Sequence, residues 1–265
     1  MSFVSVEGGQ LYCEASGQPG RAVVFLHGFS LDHRLWAEQT AALADRFHVI
    51  AYDLRGFGRS SLPEAPFAHV DDLIALLDHF GLASADIVGL SLGGGVAVDF
   101  ALTHPARTCS LTLVDTTLGG FTWTKDWSPP GRIARSHGIA AAKANWLEDE
   151  LFAEAFRQPA VAERLRQMVA DYSGWHWVNR GQERPPRGAP PLPAYDHLEA
   201  IQTPTLVVVG ERDLPDFRRL ADDLTARLPN ARRVVLAGAG HMSNLEAPAA
   251  FNAALLEFLL AQEAR

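Results

Sequence analysis

The segment Ala85-Asp86-Ile87-Val88-Gly89-Leu90-Ser91-Leu92-Gly93-Gly94 sets a serine between an apolar run of strand length and a helical pattern that continues to His104. A nucleophilic serine at a sharp strand-to-helix turn must hold an unfavourable backbone conformation, and the residues two before and two after it must be small to avoid collision. Gly89 and Gly93 meet that requirement. Such a turn lifts the Ser91 hydroxyl above the sheet edge and aims the Leu92 N–H, at the helix N-terminus, toward a developing oxyanion. A G-x-S-x-G stretch alone also suits an innocent turn; the strand–turn–helix setting selects the nucleophilic reading.

Outward from this turn, short apolar runs alternate with helical patterns, the signature of a mainly parallel sheet covered on both faces. Ala22–Leu26, Phe47–Tyr52, Ala85–Gly89, Cys109–Val114, Thr205–Val209 and Arg232–Leu236 read as buried parallel strands. Val4–Val6 and Gln10–Glu14, around Gly8–Gly9, read as an opening antiparallel hairpin. Helical patterns occupy Leu35–Ala44, Val70–Phe80, Leu92–His104, Asp216–Leu228 and Pro248–Ala261, with Leu73, Leu76, Leu77 and Phe80 on one face of the second. The register breaks between about Leu118 and His197. That stretch holds five of the six tryptophans, helical patterns at Gly138–Phe156 and Pro159–Tyr172, and the proline-rich run Glu183–Tyr195, but no clear strand. The expected organisation is a core of residues 1–117 and 198–265, with a mostly helical cap or lid insertion over 118–197 that returns along a stiff extended segment.

With these motifs in place, the chain resembles the α/β-hydrolase family, serine-nucleophile branch, over nearly its whole length. Leu26-His27-Gly28-Phe29 resembles the family's HG oxyanion loop, which implies the Phe29 N–H as the oxyanion donor partnering Leu92. The run Asp53-Leu54-Arg55-Gly56-Phe57-Gly58-Arg59-Ser60 is similar to the loop after the family's fourth strand. Gly210-Glu211-Arg212-Asp213 matches the position of its acid, and Gly240-His241-Met242 that of its histidine. The order Ser91, Asp213, His241 is the one this fold is expected to carry. The resemblance implies an α/β-hydrolase fold: a mostly parallel twisted sheet, helices on both faces and a helical cap insertion. Physically, His241 would accept the Ser91 proton during attack and return one to the leaving oxygen, while Asp213 holds the imidazole tautomer. Asp115, which also follows an apolar strand, is a rival for the acid. Asp32 and His33 read as solvated helix-start residues beside the oxyanion loop, and Glu246 fits the family's HxxxxE pattern as a brace.

Composition narrows the partners. Lys and Arg number 23 against 31 Asp and Glu, a formal net charge of −8, which argues against nucleic-acid or anionic-membrane partners. No segment approaches the roughly 18 consecutive apolar residues of a membrane span. The first thirteen residues carry no positive stretch and no apolar run of signal length, and Cys13 and Cys109 could form at most one bridge; the expected compartment is the cytoplasm. No Cys/His spacing resembles a zinc site and no histidines show H-x-H or H-E-x-x-H, so no metal and no cofactor are expected.

Serine at the elbow disfavours the relatives that use aspartate there, the haloalkane dehalogenases and epoxide hydrolases. The expected reaction is acyl transfer from a small-molecule carboxylic ester or lactone, with Trp123, Trp127, Arg135 and Trp175 as candidates for the substrate wall. Arg132–Ala141, together with GLSLGG and DLRGFGRS, looks similar to the 3-oxoadipate enol-lactonase branch. A carboxylate on such a lactone would need a cation, which Arg132, Arg135 or Arg180 could supply unless they lie solvated on helix faces. Alternatives are such a lactonase, a cofactor-free C–C hydrolase or oxygenase that uses the His241–Asp213 pair to deprotonate its substrate, and a ligand receptor. Assembly as a homodimer stays open.

Overall fold

Runs of Val, Ile and Leu with no polar face can only be satisfied between two layers of helix, and the interior strands are built from such runs. The computed structural model describes residues 1–179, 181–189 and 193–263. Its sheet contains β1 (Ser2–Val6), β2 (Gly9–Gly17), β3 (Ala22–Leu26), β4 (His48–Tyr52), β5 (Ala85–Leu90), β6 (Thr108–Val114), β7 (Thr205–Gly210) and β8 (Ala231–Leu236). The spatial order is β1-β2-β4-β3-β5-β6-β7-β8; β1 and β2 pair antiparallel, β2 runs antiparallel to β4, and the rest are parallel. Strands β3, β5 and β7 are buried at every residue. The edge strand β8 is mostly accessible and carries Arg232 and Arg233, charges that discourage further strand pairing.

Helices α1 (Ala37–Leu43), α2 (His69–His79) and α3 (Leu92–Thr103) follow β3, β4 and β5. One helix over Leu35–Ala44 was expected. Instead a tight turn occupies His33–Trp36, opened by the Asp32 carboxylate accepting from the Arg34 N–H at 3.0 Å, and α1 follows it. Between β6 and β7 come α4 (Pro129–His137), α5 (Ile139–Leu147), α6 (Pro159–Asp171) and α7 (Trp175–Val178). Helix α4 lies outside the helical patterns expected for this stretch; it opens on Pro129-Pro130, since proline suits the first helical positions, where its missing N–H is no loss. The helix expected over Gly138–Phe156 stops at Leu147, because Asp149 accepts from the Leu151 N–H at 2.9 Å and starts a separate turn. A short 3₁₀ helix, Ala194–Ala200, straddles the boundary expected at residue 197. Within the proline-rich return, residues 190–192 lie outside the described residues, as does Arg180. Helices α8 (Pro215–Arg227), α9 (Ser243–Glu246) and α10 (Pro248–Glu263) complete the chain, and among the described residues no helix is long and apolar enough to cross a membrane.

Topology places the chemistry. The chain leaves β3 toward β4 on one side and returns to β5 on the other, so the carboxyl ends of β3 and β5 flank a switch point, where open α/β sheets form crevices. Register pairs Leu26 with Gly89, Leu90 with Val114, Val114 with Val208 and Gly210 with Leu236. The loops after β3, β5, β6, β7 and β8 therefore emerge along one rim.

Candidate active site

Ser91 sits between β5 and α3 with φ 53° and ψ −113°, a region that a side-chain-bearing residue occupies only when its surroundings force it. Here they do. The Ser91 N–H donates to the Val114 carbonyl at 2.9 Å, and the Ser91 carbonyl accepts from the Gly94, Gly95 and Thr117 N–H groups at 3.0–3.2 Å and from Thr117 Oγ1 at 3.1 Å. A Cβ on Gly89 would collide with the Gly93 carbonyl, and one on Gly93 with the Leu26 carbonyl. Gly93→Ala is expected to force β3 and α3 apart and cost about 1–3 kcal/mol by overpacking, read as a lower Tm accompanied by lost activity.

The loop after β3 faces this turn: a Cβ built on Gly28 would lie 3.5 Å from Ser91 Cβ. His27 fixes it, with Nδ1–H donating to the Gly28 carbonyl at 2.8 Å and Nε2 accepting from the Leu54 N–H at 2.9 Å. Ser30, at φ 62°, accepts from Trp146 Nε1 at 2.7 Å, tying α5 to the loop. Among the described residues neither the Phe29 nor the Leu92 N–H has a hydrogen-bond acceptor, and Leu92, as first residue of α3, has none one turn back.

On the far side of β6, Asp213 and His241 meet. His241 Nδ1 lies 3.0 Å from Asp213 Oδ2 and 3.2 Å from Oδ1, which also accepts from the Leu214 N–H at 2.7 Å. With Nδ1–H directed at the carboxylate, Nε2 is left as the acceptor; it is buried and unpartnered. Burial disfavours charge on both groups, pushing the imidazole down to about 4 against the opposing pull of Asp115 and Glu246, and the Asp213 carboxyl up. Burial thus favours the neutral imidazole, the form that can accept a proton. Glu246 accepts from the Gly240 and Met242 N–H groups on either side of His241, the latter at 3.0 Å, and so braces the histidine loop.

Asp115 does not reach the imidazole. Its oxygens accept from the Gly210 N–H at 2.8 Å and from Ser243 Oγ, joining β6, β7 and α9 from a buried position at φ 43°. Ser30, Ser91 and Asp115 are the three non-glycine residues at positive φ among the described residues; Ser91 and Asp115 directly follow β5 and β6, and Ser30 lies in the loop after β3. Asp32 is buried rather than solvated, paired with Arg34, and His33 bonds Asp53 at 2.7 Å; neither lines the cavity.

Ser91 and His241 lie in the wall of a cavity of about 320 Å³. Trp123 and Trp127 line it, as do Trp146, Trp177 and Phe217, which sequence reasoning did not single out. Trp175 does not. Residues two apart on a helix point about 200° from each other, so α7 turns Trp177 inward and Trp175 toward Phe67, at 6.3 Å between ring centroids. Arg135 is also misplaced by the sequence reading: it is exposed, and its Nη1 donates to the Trp177 carbonyl at 2.9 Å. Arg132 pairs with Asp126 at 3.3 Å. No Lys, Arg, Asp or Glu appears among the described lining residues.

The sequence profile of the alpha/beta hydrolase family matches residues 23–254. Over 275 aligned residues the chain is 32% identical to the "Putative carbamate hydrolase RutD" of Caulobacter sp. (strain K31), covering 96% of this chain and 97% of that protein. The crystal structure of the enol-lactonase from Burkholderia xenovorans LB400 superposes with a TM-score of 0.83 at 26% identity, covering 98% of this chain and 100% of that one. A thermophilic esterase from Thermogutta terrifontis gives a TM-score of 0.81 at 29% identity, covering 98% of both chains.

Proposed function

Because the chain belongs to the alpha/beta hydrolase family, we propose that it cleaves an uncharged carboxylic ester or lactone through an acyl-enzyme formed on Ser91. The observation that carries this reading is an aromatic cavity with a strained serine and an Asp213-oriented imidazole in one wall and no Lys, Arg, Asp or Glu among its described lining residues. Ser91 attacks the carbonyl as His241 Nε2 takes its proton; the tetrahedral oxyanion is held by the Phe29 and Leu92 N–H groups; His241 returns the proton to the leaving oxygen. Water, deprotonated by the same imidazole, then releases the acid. Residues 118–197 act as a cap that supplies the tryptophan wall. The reaction needs no cofactor, and the unpaired Cys13 and Cys109 suit a cytoplasmic setting.

A substrate carrying a free carboxylate fits this cavity poorly, since an unpaired anion would be buried among aromatic rings. A small carbamate would leave most of the apolar volume unfilled. The test compares p-nitrophenyl and lactone substrates with and without a terminal carboxylate. The neutral members are expected to be favoured by about 10²-fold or more in kcat/KM, from the cost of stranding the charge. Equal rates would reject the substrate assignment, and tight binding without repeated turnover would reject the enzyme reading in favour of a receptor.

The pH profile has a definite sign. Only neutral His241 accepts a proton, and burial lowers its pKa from the ordinary 6.5 to about 4, so activity is expected to hold through neutral and mildly acidic pH and to fall only as pH drops toward about 4. An acid limb of kcat/KM centred at the ordinary 6.5 or above would contradict it.

A further inference from the structure

At the edge of the aromatic wall, to which His176 itself contributes, three side chains from three separate segments converge. His69 opens α2 of the core, His176 belongs to α7, and Glu183 lies on the return segment, which pairs with Phe67 through an isolated parallel bridge. Glu183 Oε1 is 3.9 Å from both His69 Nε2 and His176 Nε2, and one donor atom from each residue falls within 4.8 Å of the others. The His69 side chain is 5% exposed, with no hydrogen-bond partner for either ring nitrogen; the His176 side chain is 6% exposed, with Nε2 unpartnered. Two imidazoles buried with orphaned nitrogens are expensive in a folded protein unless something outside the chain satisfies them. His176 is already oriented, because Tyr172 Oη lies 3.3 Å from Nδ1 and the ring stacks on Phe57 at 4.1 Å, leaving Nε2 aimed at the cluster.

We propose that His69, His176 and Glu183 bind one divalent transition ion of the zinc class. Two imidazoles and a carboxylate are a three-ligand zinc donor set, with a fourth position for water. Zinc–ligand bonds of about 2.0–2.1 Å in a tetrahedron put the donors about 3.3 Å apart. The two 3.9 Å separations close by sub-ångström movement of Glu183, whose side chain is 49% exposed, while the two imidazoles, with nitrogens within 4.8 Å and ring centroids 6.5 Å apart, must also turn toward each other. A second cluster, Asp32 with His33 and Asp53, is different in kind. Asp53 accepts from the His33 N–H and Nδ1 at 2.7 Å and from the Arg59 N–H at 2.8 Å, and Asp32 is paired with Arg34, so donors of the chain itself fill it. An ion at the first cluster would pin the return segment and α7 to α2, fixing the wall that carries Trp177.

The test uses the untagged full-length chain, stripped with a chelator. Calorimetric titration with Zn²⁺ is expected to show one equivalent bound, Co²⁺ in its place to give the visible absorption of a tetrahedral site, and Zn²⁺ to raise Tm by several degrees. Glu183→Gln, at a half-exposed position, is expected to weaken uptake at least about tenfold. His69→Phe should abolish it, and Asp32→Asn should leave it unchanged. Absence of stoichiometric uptake, or equal uptake by the wild type and Glu183→Gln, would overturn the proposal, even if His69→Phe fails to fold.

Discussion

Alanine at Ser91 is expected to lower kcat on a neutral ester by about 10⁶ while leaving the fold intact. The magnitude is that of serine-nucleophile loss where the three side chains act as a unit, so His241→Ala should cost about as much and the double variant little more. The fold should tolerate the change because what Ser91 gives the structure is its backbone: its N–H and carbonyl make the bonds that hold the turn, and its hydroxyl makes none among the described residues. Alanine retains the Cβ and the backbone strain, so Tm should hardly move. Initial rates and a melting curve on the two proteins decide the matter. Residual turnover within tenfold of wild type would place the bond-breaking step away from Ser91.

The next largest effect separates the two carboxylates. Asp213→Asn is expected to reduce kcat by about 10⁴, because the amide cannot fix the imidazole in the tautomer that leaves Nε2 free to accept. Asp115→Asn should act differently. That side chain accepts from the Gly210 N–H and from Ser243, so the amide would weaken the junction of β6, β7 and α9 and lower Tm while reducing turnover far less. Measuring kcat and Tm for both variants gives a crossed pattern. The reverse pattern would transfer the acid's role to Asp115.

The strand ends were legible because sequence and burial coincide there: a run such as Ala22–Leu26 has no polar face and must lie between layers. Gly89, Ser91 and Gly93 were legible because steric necessity is local. Between β6 and β7 the reading weakened, for identifiable reasons. Helix α4 is only nine residues long, too short for a clear periodicity, and whether Trp175 or Trp177 faces the cavity depends on the phase of a four-residue helix that no periodicity could reveal. The charge of Arg135 suggests an anion contact, but its position on α4 aims it at the Trp177 carbonyl. His69, His176 and Glu183 left no spacing to read, since the first stands more than a hundred residues before the others and only the tertiary fold joins them.

The bond from Trp146 to Ser30 has a bearing on engineering. Exchanging the segment between β6 and β7 for that of a relative, a common route to new specificity, would remove from outside the donor that steadies a strained residue next to Phe29. A chimera made in that way should lose turnover on every ester alike, whatever the shape of its new pocket. Grafts that carry an indole or another N–H donor to the Trp146 position, or that replace Ser30 in concert, are the ones in which specificity can be changed without dulling the catalyst.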